Sequence, residues 1–280
     1  MKKLKLFKIC ALLFMLIPCF FAFSACAPAN YYNTTNISID KNFSIKDAYD
    51  ALVEEGYDKT FSEFIKDFFQ YDISQIITDE CKPCVVAINR KEYSSKSGSG
   101  VFFKIENNSA YIITNYHVVY PDQYTDTFYI TLANDINKDF TMTATCQYVS
   151  DEVDLAILKI ENDENVNKGK VVTFANKNAK DGESCIAIGN THSKGISVTL
   201  GNISKAYDTC EYTAGSKKIR EVLMHCAYIE KGSSGGGLFN LAGELIGITN
   251  AGESGEITLQ NYAIRIETVE NFIEEFTNNN

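Results

Sequence analysis

Ten short runs of β-forming residues fill the chain after residue 80, and they constrain its fold more than any other feature. Each run is apolar or alternates between apolar and polar positions and is rich in Val, Ile, Thr, Tyr and Phe, and clusters of Asn, Asp, Gly and Lys separate the runs. Such runs predict an all-β fold of sandwich or barrel type, because no strand alternates with a long helix. The roughly 200 residues after position 80 are enough for two packed barrels. The runs cover residues 84–90, 100–105, 110–114, 127–133, 141–149, 154–160, 184–189, 197–203, 221–229 and 244–250.

A glycine-rich turn follows one of these runs and contains Ser234. Glycine occupies positions 232, 235, 236 and 237. Because glycine adopts positive φ readily, such a turn can expose consecutive N–H groups to a carbonyl oxygen that becomes negative. Gly-Ser clusters also form ordinary hairpin loops, so the turn by itself makes Ser234 only a candidate nucleophile.

Two upstream segments supply the other groups that acyl transfer needs. His117 ends a segment that begins with the apolar run at 110–114, and Asp154 directly precedes the apolar residues 155–158. A serine hydroxyl needs an imidazole to take its proton and a carboxylate to fix the imidazole tautomer. The order His117, Asp154, Ser234 is that of chymotrypsin-type double barrels.

Seven blocks of sequence, in order, resemble the HtrA/DegP-type serine proteases of the trypsin-like clan. They are Gly-Ser-Gly-Val at 98–101, Thr-Asn-Tyr-His-Val-Val at 114–119, Asp-Leu-Ala-Ile-Leu-Lys-Ile at 154–160, Ala-Ile-Gly-Asn at 187–190, Ser-Val-Thr-Leu-Gly-Asn-Ile-Ser at 197–204, Gly-Ser-Ser-Gly-Gly at 232–236 and Gly-Glu-Leu-Ile-Gly-Ile-Thr at 243–249.

The resemblance implies a double six-stranded antiparallel β-barrel of the chymotrypsin/trypsin type, followed by a C-terminal helix. It makes His117 the general base, Asp154 its orienting carboxylate and Ser234 the nucleophile, and it places the oxyanion hole at the N–H groups of Gly232 and Ser234. It spans about residues 80 to 275, so a protease domain is expected over residues 79–280.

The chain departs from the family's pattern in two ways. Ser233 stands where Asn is common, and Gly237 stands where Pro or Ala is common. HtrA-type proteases also usually carry a PDZ domain after the protease, and the sequence ends at residue 280. We therefore expect a protease domain without a PDZ domain.

The resemblance also predicts where the substrate binds. The pocket for the residue before the scissile bond is expected to be formed by Tyr228 and Ile229 on one side and by Ile248, Thr249 and Asn250 on the other. These walls are largely apolar and lack an aspartate to receive Arg or Lys. We expect cleavage after small or medium aliphatic residues, with the substrate backbone added as a strand along residues 248–250.

The first 25 residues are expected to be a signal peptide of the lipoprotein type. Four lysines precede the apolar stretch at 9–23, which is short for a membrane helix, and Phe-Ser-Ala-Cys at 23–26 resembles a bacterial lipobox. Cleavage there would leave Cys26 as the lipidated N-terminus of an extracytoplasmic, membrane-anchored protein. The alternative is an ordinary secretory signal and a secreted protein.

Two further segments separate the lipobox from the protease domain. Residues 26–43 are rich in Asn, Tyr and Thr without periodicity and are expected to be a flexible tether. Residues 44–78 show apolar positions at helical spacing, interrupted at Gly56, and are expected to form a small helical hairpin. A spacer or cap is the favoured role for it over a binding module.

Charge and cysteine content limit the partners and cofactors. Removal of residues 1–25 takes away four lysines and no acid, which leaves 22 basic and 36 acidic residues and a net charge of about −14. Nucleic acid is therefore not an expected ligand. No cofactor or metal is expected, because the three histidines at 117, 192 and 225 lack ligand spacing. Disulfide pairing stays open among Cys81, Cys84, Cys146, Cys185, Cys210 and Cys226.

Two functions remain open at this point. The favoured one is an extracytoplasmic serine endopeptidase that hydrolyses unfolded or surface proteins through an acyl-enzyme. Assembly into a homo-oligomer is left open. The alternative is a non-catalytic surface or chaperone protein that uses a protease-like fold for binding.

Overall fold

The computed structural model describes residues 45–54, 56–58, 60, 73–90, 97–120, 127–133, 141–212, 218–252 and 260–279. The chain divides into two compact units, residues 1–71 and 72–280. In the first unit, helix α1 (Ile45–Glu54) lies where the first half of the hairpin is expected. The signal peptide, the tether and residues 61–72 of the expected hairpin lie outside the described residues. Within the described ranges, no helix has the length and apolar character to cross a membrane.

The second unit contains two closed barrels of six strands each, and all paired strands within them are antiparallel. The strands of the first barrel are β1 (Val85–Asn89), β2 (Ser97–Glu106), β3 (Ser109–Thr114), β4 (Phe128–Leu132), β5 (Thr141–Ser150) and β6 (Leu155–Ile160). Those of the second are β7 (Ser184–Gly189), β8 (Ser197–Tyr212), β9 (Lys218–His225), β10 (Gly237–Asn240), β11 (Leu245–Gly252) and β12 (Asn261–Arg265). The predicted fold class is confirmed.

The two-residue period of the strands explains why these sequences form two barrels that pack together. Along β6, Leu155 and Ile157 face the core between the barrels, whereas Ala156, Leu158 and Ile160 fill the first barrel. Successive side chains of a strand point to opposite faces, so a strand that is apolar on both faces can line two cores at once. Strand β6, which is apolar on both faces, is therefore a wall between two cores.

Short helices lie at both ends of the second unit and after β3. Helix α2 (Ile73–Ile76) continues through a π turn (Ile77–Cys81) and a 3-10 turn (Lys82–Cys84) into β1, and it buries Ile76 between the barrels. The single-turn helix α3 (Tyr116–Val119) follows β3. Helix α4 (Ile266–Asn278) follows β12 and packs Val269 and Phe272 into the same core. The expected C-terminal helix is thus present.

Three strands differ from the ten predicted runs, and one of them, β12, lies in none of those runs. Strand β10 has only four residues and begins inside the glycine-rich turn, where no β-forming run is visible. Strand β8 is 16 residues long, although only its first half carries the apolar pattern. Its second half pairs with β9 in a hairpin that includes register shifts, so pairing rather than burial extends this strand.

Candidate active site

His117 lies in α3, directly after β3, at the end of the first barrel. Its imidazole Nδ1 is 2.8 Å from Asp154 Oδ2, and its backbone N–H donates to Asp154 Oδ1 at 3.0 Å. The Arg90 guanidinium donates to the carbonyl oxygens of His117 and Val118, at 3.3 and 3.0 Å, and holds the carbonyl end of this turn. Both the ring and the main chain of His117 are therefore fixed against the carboxylate.

Asp154 is the last residue before β6 and is 1% exposed. Its φ of +57° is in the left-handed region, which Asp tolerates better than most residues. The backbone N–H of Tyr116 and the side-chain amide of Asn115 donate to its carbonyl oxygen, at 3.1 and 3.0 Å. The fold thus presents an acidic side chain to His117 at the cost of an unusual backbone conformation, which these bonds stabilise.

Ser234 lies in the glycine-rich segment between β9 and β10. The preceding four residues form a turn that Ser233 N–H closes onto Glu230 O at 2.9 Å. Gly232, the third residue of this turn, has a φ of +96°, as a type II turn requires. The N–H groups of Gly232 and Ser234 hydrogen-bond to no other described residue. They can therefore serve a ligand oxygen.

A loop after β7 packs against this turn. The backbone N–H of His192 donates to Lys231 O at 2.7 Å. Because a trans peptide points its C=O and the following N–H in opposite directions, this bond keeps Gly232 N–H turned away from the loop. The His192 ring also contacts one carboxylate oxygen of Glu230, whose other oxygen accepts from the Tyr228 hydroxyl.

Ser99 of β2 connects the first barrel to the turn that contains Ser234, a role that its type and spacing did not predict. Its N–H donates to Ser234 O at 2.8 Å, and its hydroxyl donates to Gly232 O at 2.7 Å. Gly98 beside it has room for no side chain, since a Cβ there would lie 2.6 Å from Val118 and 3.2 Å from Ser234 O. The segment after His117 and the Ser234 turn therefore meet across residues 98–99.

The Ser234 hydroxyl donates to Asn250 O at 2.5 Å. Strand β11 also brackets the turn on its other side, because Thr249 Oγ1 lies 2.7 Å from Ser233 O and Gly235 N–H donates to Thr249 O at 2.8 Å. These contacts could not be predicted from the sequence, since they depend on how β11 pairs with β10.

Of the five residues expected to line the substrate pocket, Ile229 packs in the core of the second barrel and Ile248 in the core between the barrels. Tyr228 is 47% exposed, whereas Ile229, Ile248, Thr249 and Asn250 are buried. The Thr249 hydroxyl donates to Ser233 O, and the Asn250 carbonyl accepts from the Ser234 hydroxyl. The single acid of residues 227–231, Glu230, is already paired with His192 and Tyr228.

The six cysteines of the second unit are free thiols in the structure. Burial raises the pKa of Cys81 and of Cys84 to about 12, so neither is a reactive thiolate at neutral pH. Burial likewise raises the pKa of Cys185 to about 12. Among the described residues, no group of His, Cys, Asp and Glu is arranged to hold a metal ion.

Two closed six-stranded antiparallel barrels define the class of fold found in trypsin-like peptidases. The chain belongs to the family described as the trypsin-like peptidase domain, whose model matches residues 98–248. It is 36% identical over 165 residues to the serine protease Do-like HtrA of Bacillus subtilis, and 36% identical over 190 residues to HtrB of the same organism. It is 31% identical over 179 residues to the serine endoprotease DegS of Haemophilus influenzae.

These matches cover 57%, 65% and 60% of the chain but only 34%, 38% and 48% of the three relatives, respectively. The chain therefore spans about a third to a half of the length of these proteins. Among solved structures, it is similar to the HtrA-type protease AlgW with a tripeptide, at 26% identity and a TM-score of 0.59, over 73% of this chain and 63% of that one. A serine endoprotease from Yersinia pestis is similar at 26% identity and a TM-score of 0.56, over 74% of this chain and 66% of that one.

Proposed function

We propose that this protein is a serine endopeptidase of the HtrA type that hydrolyses peptide bonds through an acyl-enzyme. The observation that carries the proposal is the double connection between His117 and Asp154, at 2.8 and 3.0 Å, beside a glycine turn with two N–H groups that lack an acceptor among the described residues. Acyl transfer needs both parts: a base to activate the hydroxyl and donors for the oxyanion.

In the proposed reaction, the Ser234 hydroxyl exchanges its Asn250 acceptor for the His117 imidazole and attacks the substrate carbonyl while His117 takes its proton. The N–H groups of Gly232 and Ser234 hold the oxyanion of the tetrahedral intermediate. His117 then protonates the leaving amine, and the C–N bond breaks to give the acyl-enzyme. Water, deprotonated by His117, hydrolyses the ester and restores Ser234. Asp154 stays ionised and stabilises the imidazolium.

We further propose that the substrates are unfolded or surface-exposed proteins, cleaved after small or medium aliphatic residues. The expected lining carries no acid that is open to a basic side chain, because Glu230 already contacts His192 and Tyr228. A peptide library with all residues at the position before the cleaved bond tests this. Preference for Arg, Lys, Asp or Glu would contradict it.

The first experiment uses an active-site fluorophosphonate probe on residues 27–280, beside the Ser234→Ala variant, with the adduct located by mass spectrometry. Labelling at Ser234 alone is expected, because only an activated serine reacts at a useful rate. A folded protein that stays unlabelled, even with unfolded substrate present, would favour the non-catalytic binding protein.

We propose that the protein acts outside the cytoplasm, tethered to the membrane by a lipid on Cys26. The sequence at 23–26 supports the lipid anchor. The location outside the cytoplasm is supported by one relative from Buchnera aphidicola, which is named a probable periplasmic serine endoprotease. Expression of the full chain and of Cys26→Ser in a bacterial host, with metabolic labelling by a clickable fatty acid, tests it. We expect the wild-type protein to carry the label in the membrane fraction and Cys26→Ser to lack it. Unlabelled protein in the medium would instead indicate an ordinary secretory signal.

A further inference from the structure

Arg220 of β9 crosses from the second barrel to the turn that carries Asp154 in the first barrel. Its Nη2 donates to Asp151 O at 2.7 Å, and its Nε donates to Glu152 O at 3.1 Å. The Asp151 carboxylate is 3.8 Å from the same Nη2. Arg220 is only 5% exposed, so these oxygens replace the water that a guanidinium would otherwise hold.

The turn at residues 151–154 has little freedom to place its last residue. It connects β5, which ends at Ser150, to β6, which begins at Leu155, and Asp154 has the left-handed φ of +57°. Bonds from the first barrel fix the Asp154 carbonyl, as described above. Arg220 fixes the other end of the same turn, at the carbonyls of residues 151 and 152.

The planar geometry of the Arg220 guanidinium matters as much as its charge. Nε and Nη2 of a guanidinium lie on one edge of a rigid plane, so two neighbouring carbonyls can be held in a fixed relation. A lysine could reach one carbonyl but could not set the distance between both. Burial strengthens these charge-assisted hydrogen bonds, because no water competes for the donors.

We propose that Arg220 is a positioning residue for the proposed triad: it holds the turn so that the Asp154 carboxylate stays at His117 Nδ1. Strand β9 continues through His225 toward the segment that carries Ser234. Arg220 thereby ties the placement of Asp154 to the barrel that supplies the nucleophile. This inference rests on the proposed function, since it assigns Arg220 a role in the same reaction.

The test compares wild type with Arg220→Gln, Arg220→Lys and Arg220→Ala on one peptide substrate, with kcat expressed per active site titrated by the fluorophosphonate. For Arg220→Gln we expect kcat to fall by about 10- to 100-fold, since a misplacement of about 1 Å can cost about 10²-fold, while KM changes less than about threefold. Arg220→Lys should show an intermediate loss. Millimolar guanidinium should restore part of the kcat of Arg220→Ala, and methylammonium should restore less.

Arg265→Gln is the matched control, because Arg265 is a second partly buried arginine of the same barrel, paired with Glu221 and Glu267. It should lose thermal stability without losing kcat per titrated site. If Arg220→Ala does not fold, Arg220→Lys and Arg220→Gln decide the question.

A double-mutant cycle separates positioning from a general structural effect. In an Asp154→Asn background, Arg220→Gln should reduce kcat by less than twofold, because the group that it positions is already impaired. Equal losses in both backgrounds would overturn the inference, as would an active wild type whose kcat is unchanged by Arg220→Gln. A folded wild type that neither cleaves peptides nor reacts with the probe would overturn the proposed function as well.

Discussion

His117 and Asp154 are joined by two contacts, one through the imidazole Nδ1 at 2.8 Å and one through the backbone N–H at 3.0 Å. Each contact uses a different oxygen of the same carboxylate, so Asp154 fixes the ring and the main chain of His117 together. The Asp154 side chain is 1% exposed and that of His117 is 18% exposed. The acid is therefore shielded from water, whereas the ring keeps an open side.

Asp154→Asn should lower kcat by about 10⁴-fold, because an amide favours the wrong imidazole tautomer. The fold should persist, since Asn tolerates the left-handed φ that Asp154 adopts. Steady-state kinetics and thermal unfolding measure the two effects. Asp79→Asn, at an exposed carboxylate in the π turn, is the control that should retain full activity. Near-normal kcat in Asp154→Asn would remove Asp154 from the triad.

Gly232→Ala should lower kcat by about 10²- to 10³-fold through loss of an oxyanion donor. A Cβ at this position would lie 2.1 Å from Asn190 O, and φ is +96°, so the turn must change its shape. Gly182→Ala has a comparable φ of +84° with nothing within 4 Å, and it should affect stability alone. Equal kcat values for the two variants would contradict an oxyanion hole at Gly232.

His192→Asn should reduce kcat by no more than about fivefold, with KM unchanged. The ring is 53% exposed, and an exposed ion pair contributes about 0.2–1 kcal/mol, which sets this limit. Asn tolerates the φ of +56° and keeps the backbone N–H that holds Lys231 O. Lys194→Ala, at an exposed residue of the same loop, should show no change. A loss of 100-fold or more would mean that the His192 ring has a larger role than support of the turn.

His225 should make the protein less stable in mild acid. Burial lowers the pKa of its imidazole to about 4, against a smaller opposing effect from the backbone at Ala227. With an unfolded pKa of about 6.5, the unfolded chain binds more protons between pH 6.5 and 4. The contribution to stability is therefore complete above pH 6.5 and is lost as the pH falls to 4, by about 3 kcal/mol.

Urea unfolding of wild type and His225→Leu at several pH values measures this contribution. The difference in the free energy of unfolding between the two proteins should shrink or reverse between pH 6.5 and 4, because only wild type gains the proton on unfolding. Parallel pH profiles would show that His225 does not titrate as its burial predicts.

Cys81, Cys84 and Cys185 should resist alkylation in the folded, reduced protein. With a pKa of about 12, only about one thiol in 10⁴ is ionised at pH 8. Iodoacetamide labelling followed by peptide mass spectrometry, with and without urea, tests this. Rapid labelling of Cys81 or Cys84 without urea would support a redox role for this Cys-Lys-Pro-Cys segment.

Much of the candidate site could be proposed from the sequence, because acyl transfer uses chemistry that only a few side chains perform. His117, Asp154 and Ser234 could be selected from the sequence, since each stands beside a β-forming run and their order matches one class of fold. The supporting contacts could not. Ser99 and Arg220 are ordinary polar residues in their local sequence, and only the packing of the two barrels brings them to residues 135 and 69 positions away, respectively.

The glycine at position 237, where Pro or Ala is common in the family, is explained by packing that the sequence does not reveal. A Cβ at this position would lie 2.4 Å from the Phe239 ring and 3.2 Å from Leu245. Proline or alanine could therefore enter only if these core side chains moved. The local pattern suggests a looser turn, whereas the packing shows a glycine that makes room for a buried aromatic ring.

The class of fold, the candidate triad and the closing helix could be predicted from the sequence, because they depend on strand periodicity and on scarce reactive side chains. Only the packing of the barrels and loops sets how β10 follows the Ser234 turn, which carbonyls Arg220 holds and how His192 supports the Gly232 peptide. These features arise from contacts between barrels and between loops that are distant along the chain. Local sequence specifies which strands form, but only the assembled barrels fix which backbone groups meet.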